Sequence, residues 1–245
     1  MREETDVQKK YEFTGETSNR IAANRIAAGA TLHRIRAVRD FGDVKAGDLG
    51  GWVESEDNLS HEGKCWVYDD SAVFGRGRVW HDAKVMNNSS VYDNGQVTDD
   101  AIIDNSDVFG SAKVAYHARI EDQSRAYQHA RIVGSHVCRS EIGDFAYIWN
   151  SMVKEAEIRV PCYISCGHIE SSRDLVTVGP IGSEDGILTA YRGHDGIMVT
   201  RGCFSGTIKN FLRAVERTHG NNEYGRSYAA LIEFLKLHFG EEVKR

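Results

Sequence analysis

The chain has 245 residues and a formal charge of −6, from 36 acidic and 30 basic side chains. No apolar run approaches the ~18 residues of a membrane span, the Met-Arg-Glu-Glu start does not read as a signal peptide, and the acidic balance gives no broad footprint for nucleic acid. Five cysteines, scattered without a framework, point to a reducing cytosol; the expected location is cytoplasmic, with no membrane or nucleic-acid partner and no cofactor or metal.

Residues 1–63 lack the regular cadence of residues 64–170 and read as an N-terminal β-rich cap. Thr31–Val38 has the character of a strand, with Arg34 and Arg36 on one face and Arg39 just after. These arginines suit either an anion or nearby acids such as Asp40 and Asp43, and the second is the commoner use. Gly42-Asp43 and Gly47-Asp48 mark tight turns. The near-duplicate Arg20-Ile-Ala-Ala and Arg25-Ile-Ala-Ala is read as a short helix.

From Lys64 to Glu170 an aliphatic residue returns at almost every sixth position: Val67, Val73, Val79, Val85, Val91, Val97, Ile103, and onward in steps of five or six to Ile169. Two residues earlier sits a small one: Ser71, Gly77, Ala83, Ser89, Gly95, Ala101, Ser106. Neither the helical period of about 3.6 nor the strand period of two fits this spacing. A chain that makes a short strand, turns a corner and makes another does fit, with Asp, Asn and Gly at the corners. Three units close one triangular coil, so residues 64–174 form about six coils, roughly 30 Å long at about 4.8 Å per rung. A β-sandwich of short strands would need loops of more varied length. In the resulting register, the position after each aliphatic residue faces outward and stacks Phe74, Tyr92, Phe109 and Tyr127 on one face. A soluble monomer rarely leaves such a stripe bare, so this column is the expected interface of a homo-oligomer, unless a terminal unit folds over it.

Residues 175–245 leave the repeat and read as a C-terminal α+β unit of ββαα order. Ile187–Arg192 and Ile197–Arg201 flank His194-Asp195-Gly196, a hairpin signal. Ile208, Phe211, Leu212 and Val215 give one helical stripe, capped by Ser205 or Thr207 and stopped at Gly220. A second helix is expected from Asn222 to Phe239. The stretch Arg201, Gly202, Cys203, Phe204, Ser205, Gly206, Thr207, leading into a helix start, is the most site-like in the chain, with Arg192 and His194 on the neighbouring strand. A phosphate or carboxylate suits it; so does the plainer reading, a capped hairpin-to-helix turn. It lacks the Gly-Lys-Ser/Thr ending of a Walker loop. Cys162-x3-Cys166 with His168 lacks a second ligand pair for zinc, and Cys162 takes a small inward position that packing explains.

The six-residue cadence resembles the hexapeptide-repeat, left-handed parallel β-helix family, and the left hand comes from that resemblance. The segment Phe41–Ser60 and the Arg201–Thr207 tail resemble a group of uncharacterised bacteriophage and prophage β-helix proteins, without an assigned reaction. The family's enzymes are acyltransferases with a histidine general base, for which His81, His117, His129, His136 and His168 are available. No loop excursion interrupts the coils, and His117 and His129 fall on different faces. The resemblance implies a mainly β, self-assembling protein, a trimer by the family's habit, in the host cytosol if phage-encoded. The functional expectation is non-catalytic binding and sequestration of a small anionic, nucleotide-derived ligand to counter host defence. A hexapeptide acyltransferase and a structural or protein-inhibiting factor are the alternatives.

Overall fold

The computed structural model describes residues 8–21, 25–26 and 30–240. Its body is a parallel β-solenoid with three faces. Face I stacks Leu49–Val53, Ala72–Val73, Ser90–Val91, Asp107–Val108, Arg125–Ala126, Glu141–Ile142 and Glu157–Ile158. Face II has six strands, from Arg78–Val79 to Tyr163–Ser165, and face III seven, from Trp66–Val67 to His168–Ile169. Faces I and III therefore carry seven rungs; face I gains its seventh because Leu49–Val53, ahead of the expected repeat, pairs in parallel with Ala72–Val73 and starts the stack early. Inward residues sit rung over rung, Val73 on Val91 on Val108 on Ala126 on Ile142 on Ile158, and every one of them is fully buried.

The corners explain the mixed steps. Each needs a backbone turn into positive φ, which Asp69, Asn87, Asn88, Asp93, Asp99, Asn105 and Gly75 provide at low steric cost. The corner between faces III and I also carries a buried serine ladder. The amides of Ser89, Ser106, Ser124 and Ser140 each donate to the Oγ of the serine one coil earlier, all at 3.1 Å. Ser140 Oγ takes the amide of Ala156 in the same way. At the other corners glycine or alanine fills most small positions and its amide bonds within its own turn, as from Gly95 to Tyr92 and from Ala101 to Thr98. The late corners between faces II and III carry a second, shorter ladder, from Gly167 to Ser151 Oγ and from Ser151 to Ser135 Oγ.

The N-terminal cap extends face I by two antiparallel strands, Leu32–Ala37 and Tyr11–Ser18. Tyr11, Ile35, Phe41 and Trp66 close the first coil. Lys10 is fully buried beneath them, donating to the carbonyl of Cys65 at 2.8 Å and to its Sγ at 3.1 Å. Burial, the largest influence on each, lowers the Lys10 ammonium and raises the Cys65 thiol. The expected helix around residues 20–30 is corrected: Arg20–Ile21 and Arg25–Ile26 pair as antiparallel strands, with residues 22–24 and 27–29 outside the described residues. The pairing expected of Arg34 and Arg36 holds with other partners, Asp70 and Glu12, while Asp40 pairs with Lys45 and Asp43 with Lys84.

The C-terminal unit has four antiparallel strands rather than two: Leu175–Ile181, Gly186–Gly193, Gly196–Arg201 and Phe204–Thr207. Two helices follow, α1 (Ile208–His219), capped by Thr207, and α2 (Glu223–Phe239), capped by Asn222. Ile208, Phe211 and Val215 of the predicted stripe are buried, but Leu212 is exposed. The sheet's far face meets the last coil. Tyr191 joins the solenoid core and its hydroxyl lies 3.0 Å from both the amide and the carbonyl of Ser165.

Candidate functional site

The seven-residue stretch expected to hold an anion is only partly assembled. Phe204–Thr207 is a strand paired with Gly196–Arg201, so the ladder takes up backbone groups that a free helix start would have offered. Gly202 and Cys203 form the exposed turn between these strands; Ser205 is exposed, and Gly206 and Thr207 half-buried. Thr207 Oγ1 caps α1 through the amide of Asn210. Arg192, level with Ile197, and His194 in the turn beyond it lie at the other end of the Gly196–Arg201 strand from Arg201, about 13 Å or more along it at about 3.3 Å per residue. Thr207, paired with Met198, returns towards that end. Arg192 is held by Asp174 at 2.7 Å and by the carbonyl of Phe239 at 2.9 Å. The structure brings Arg201 and Cys203 together on one small cavity and leaves Arg192 and His194 elsewhere.

The aromatic column is present. Phe74, Tyr92, Phe109 and Tyr127 stack face to face with centroids 5.1, 4.9 and 5.4 Å apart. All four are half-buried. A Cβ at Gly143 would lie 2.5 Å from the Tyr127 ring, so glycine there lets the last ring lie down on the next rung. His129 and Phe145 stack separately at the neighbouring corner, 4.7 Å apart.

Charge is distributed unevenly over the three faces. On face I, Arg125 sits between Asp107 at 4.0 Å and Glu141 at 3.7 Å, and Arg159 pairs with Glu141 and with Glu157 at 2.7 Å. On face III, Arg119 pairs with Glu121 and with Asp104 at 3.3 Å, and Arg139 at its corner bridges Asp122 and Glu155. Face II differs. Its outward column runs Arg78, Gln96, Lys113, Arg131, then Tyr147 and Tyr163, on successive rungs. Arg78, Lys113 and Arg131 are exposed and have no acidic partner among the described residues; neither does Arg76 at the adjoining corner. Lys113 and Arg131, on adjacent rungs, repel each other, while Gln96 separates Arg78 from them. Beyond Arg131 the face opens into a cleft of about 640 Å³ walled by Tyr116, Val133, Tyr147, Trp149 and Tyr163.

Two polar clusters border these surfaces. On face III, the Glu121 carboxylate receives Arg119 and lies 2.5 Å from His136 Nε2. Burial alone would raise Glu121, but these two hydrogen bonds outweigh it and hold the carboxyl below its usual range. Cys138 Sγ is 3.3 Å from Asp122, and burial followed by that carboxylate pushes the thiol up. Glu121, Asp122 and Cys138 bring ligand atoms within 4.8 Å of one another, whereas Cys162 is buried, pushed up to about 12, and packs as an inward small residue. At the corner between faces II and III, His117 Nδ1 is hydrogen-bonded to Asp100 while the ring is 85% exposed. Tyr116 beside it is a bulky residue at φ +49°.

Fold and repeat together define a parallel β-solenoid of hexapeptide-repeat type. No protein-family model matches the chain. A 74-residue stretch, 30% of the chain, is similar at 38% identity to the Escherichia coli (strain K12) protein called "Uncharacterized acetyltransferase YdcK". The match spans 23% of that protein's length. The face II column is what sequence reasoning missed. Its signal lay one residue before each aliphatic position, where Arg78, Lys113 and Arg131 recur on one face of the prism, a column the outward-position reading did not follow.

Proposed function

We propose that the protein binds a small nucleotide-derived anion along face II and holds it without turning it over. The observation that carries this reading is the column Arg78, Lys113, Arg131, unpaired in an acidic chain whose arginines at 119, 125, 139 and 159 on the other faces are matched to carboxylates. Guanidinium and ammonium groups at rung spacing suit phosphates, and the neighbouring Tyr147, Trp149 and Tyr163 offer rings for a base to stack on. The corners beside face II remain short turns throughout, without the excursion that would enclose a reacting centre. Holding such a ligand would withdraw it from a sensor, which is the sense in which a phage-borne relative would counter host defence.

A second reading is acetyl transfer. It is favoured by the named relative and by His117, whose Nδ1 is fixed by Asp100 with the rest of the ring in solvent, next to the Tyr116 wall of the cleft. Both readings call for the same ligand chemistry, since an acyl-coenzyme A also carries an adenine nucleotide.

The test is incubation with cyclic dinucleotides, ADP-ribose derivatives and acetyl-coenzyme A, followed by denaturation and mass spectrometry of what is released. Intact nucleotide is expected. Free coenzyme A with an acetylated acceptor would establish transfer instead. Lys113→Glu with Arg131→Glu should weaken binding about a hundredfold, from two charged hydrogen bonds of about 1.5 kcal/mol each. If no nucleotide is retained, or the charge-reversed protein retains it equally, face II is not the site.

A further inference from the structure

We infer that the C-terminal unit carries a second, separate site, for a small carboxylate with a compact apolar body. The observation is a cavity of about 240 Å³ between the sheet and α1, lined by Arg201, Cys203, Phe204, Phe211, Ala214 and Tyr228 among others. Phe204, Phe211 and Tyr228 give it an aromatic wall, and Glu184, Thr218 and His219 lie at its polar side. Phe204 and Phe211 have centroids 5.1 Å apart, and Phe211 meets Tyr228 edge-on at 5.4 Å.

Arg201 is the charge in this setting, and its side chain is only 11% exposed. Nη2 donates to the carbonyl of Ile181 at 3.0 Å. Nη1 lies 3.7 Å from Glu184, whose carboxylate is 81% exposed and therefore a weak, screened partner. Nε is buried and has no acceptor among the described residues. A Cβ at Gly186 would come within 2.5 Å of Nη1, so the hairpin backbone is seated directly on the guanidinium and fixes where it lies. A buried guanidinium with an unmatched donor costs free energy that an anion would recover, and a carboxylate fork matches its geometry. The aromatic walls ask for an apolar body, and the volume, below the ~300 Å³ at which pockets for drug-sized ligands begin, excludes a nucleotide. The occupant is therefore chemically distinct from the ligand of face II.

Thermal unfolding of the full chain with benzoate, isovalerate, benzyl alcohol and inorganic phosphate tests this. At a hundredfold excess over Kd, a binding carboxylate is expected to raise Tm by about 5 °C, and benzyl alcohol to leave it unchanged. Ala214→Leu fills the cavity without touching the charge and should abolish the carboxylate shift; Arg201→Gln should do the same if it folds. Lys113→Glu with Arg131→Glu should leave the shift intact, which separates this site from face II. Equal shifts from benzoate and benzyl alcohol, a shift from phosphate alone, no shift from either carboxylate, or a carboxylate shift surviving Ala214→Leu would each overturn the inference.

Discussion

At the scale of single residues, His61 shows how the N-terminal cap depends on one protonation state. Its ring stacks on Tyr11 with centroids 4.2 Å apart, and Nδ1 accepts the amide of Lys10 at 3.3 Å, a role only an unprotonated nitrogen can play. Burial lowers its pKa, more than Glu56 at 3.8 Å raises it. The unfolded chain therefore binds the proton first, near about 6.5, and the folded chain only at lower pH. Below about 6.5 the unfolded state holds more protons, so stability falls as pH drops through that window and levels off once the folded ring also titrates. Urea midpoints at pH 7.5 and 5.5 should differ in the native chain, and His61→Gln should shrink that difference. An identical drop in the variant would assign the acid sensitivity to other groups.

At the scale of elements, the solenoid was legible because inward side chains repeat and each corner needs a turn residue. Val67, Val85, Ile103 and Ile120 could hardly have another common explanation, and their stacking is as expected. Corner identity was also written in the sequence but went unread. Serine fills every third small position, at 71, 89, 106 and 124, and these are the corners of the main ladder; the serines at 135 and 151 mark a second, shorter one on a different corner. The C-terminal unit was harder for a physical reason. Leu175–Ile181 and Phe204–Thr207 lie at the edges of their sheet, one with Gly-Pro inside it and the other with Gly206, and such strands carry little alternation to recognise. The backbone of the Arg201–Thr207 stretch was hard to read for the same reason, since a glycine-rich run before a helix cannot be told from an edge strand without its partner. The serine ladder makes a prediction of its own. Ser124→Ala leaves the amide of Ser140 buried without an acceptor, a loss of about 1–3 kcal/mol. Ala130→Ser, at a corner whose amide already bonds to Tyr127, should change stability far less. Chemical denaturation of both variants checks this, and equal effects would remove the ladder as the reason for serine.

At the scale of the whole molecule, the aromatic column and the cationic column lie on different faces, so assembly and ligand binding need not compete for surface. The stacked rings have a reason to exist within one chain, because each pair contributes about 0.5–1.5 kcal/mol beyond its buried area. That covers the ring faces, and the half-buried state of Phe74, Phe109 and Tyr127 shows how much remains open. A flat row of ring edges on a rigid prism offers a surface for closed association of identical chains. Replacing Phe74, Tyr92, Phe109 and Tyr127 with serine should therefore do two separable things. It should lower the unfolding temperature through lost stacking, and it should reduce the particle mass in light scattering to that of one chain, whereas Lys113→Glu with Arg131→Glu should leave the mass unchanged. A serine variant that is less stable yet keeps the native mass would confine the column to holding its own prism together, and would move the search for the interface to the exposed Trp149 and Tyr163 of face II.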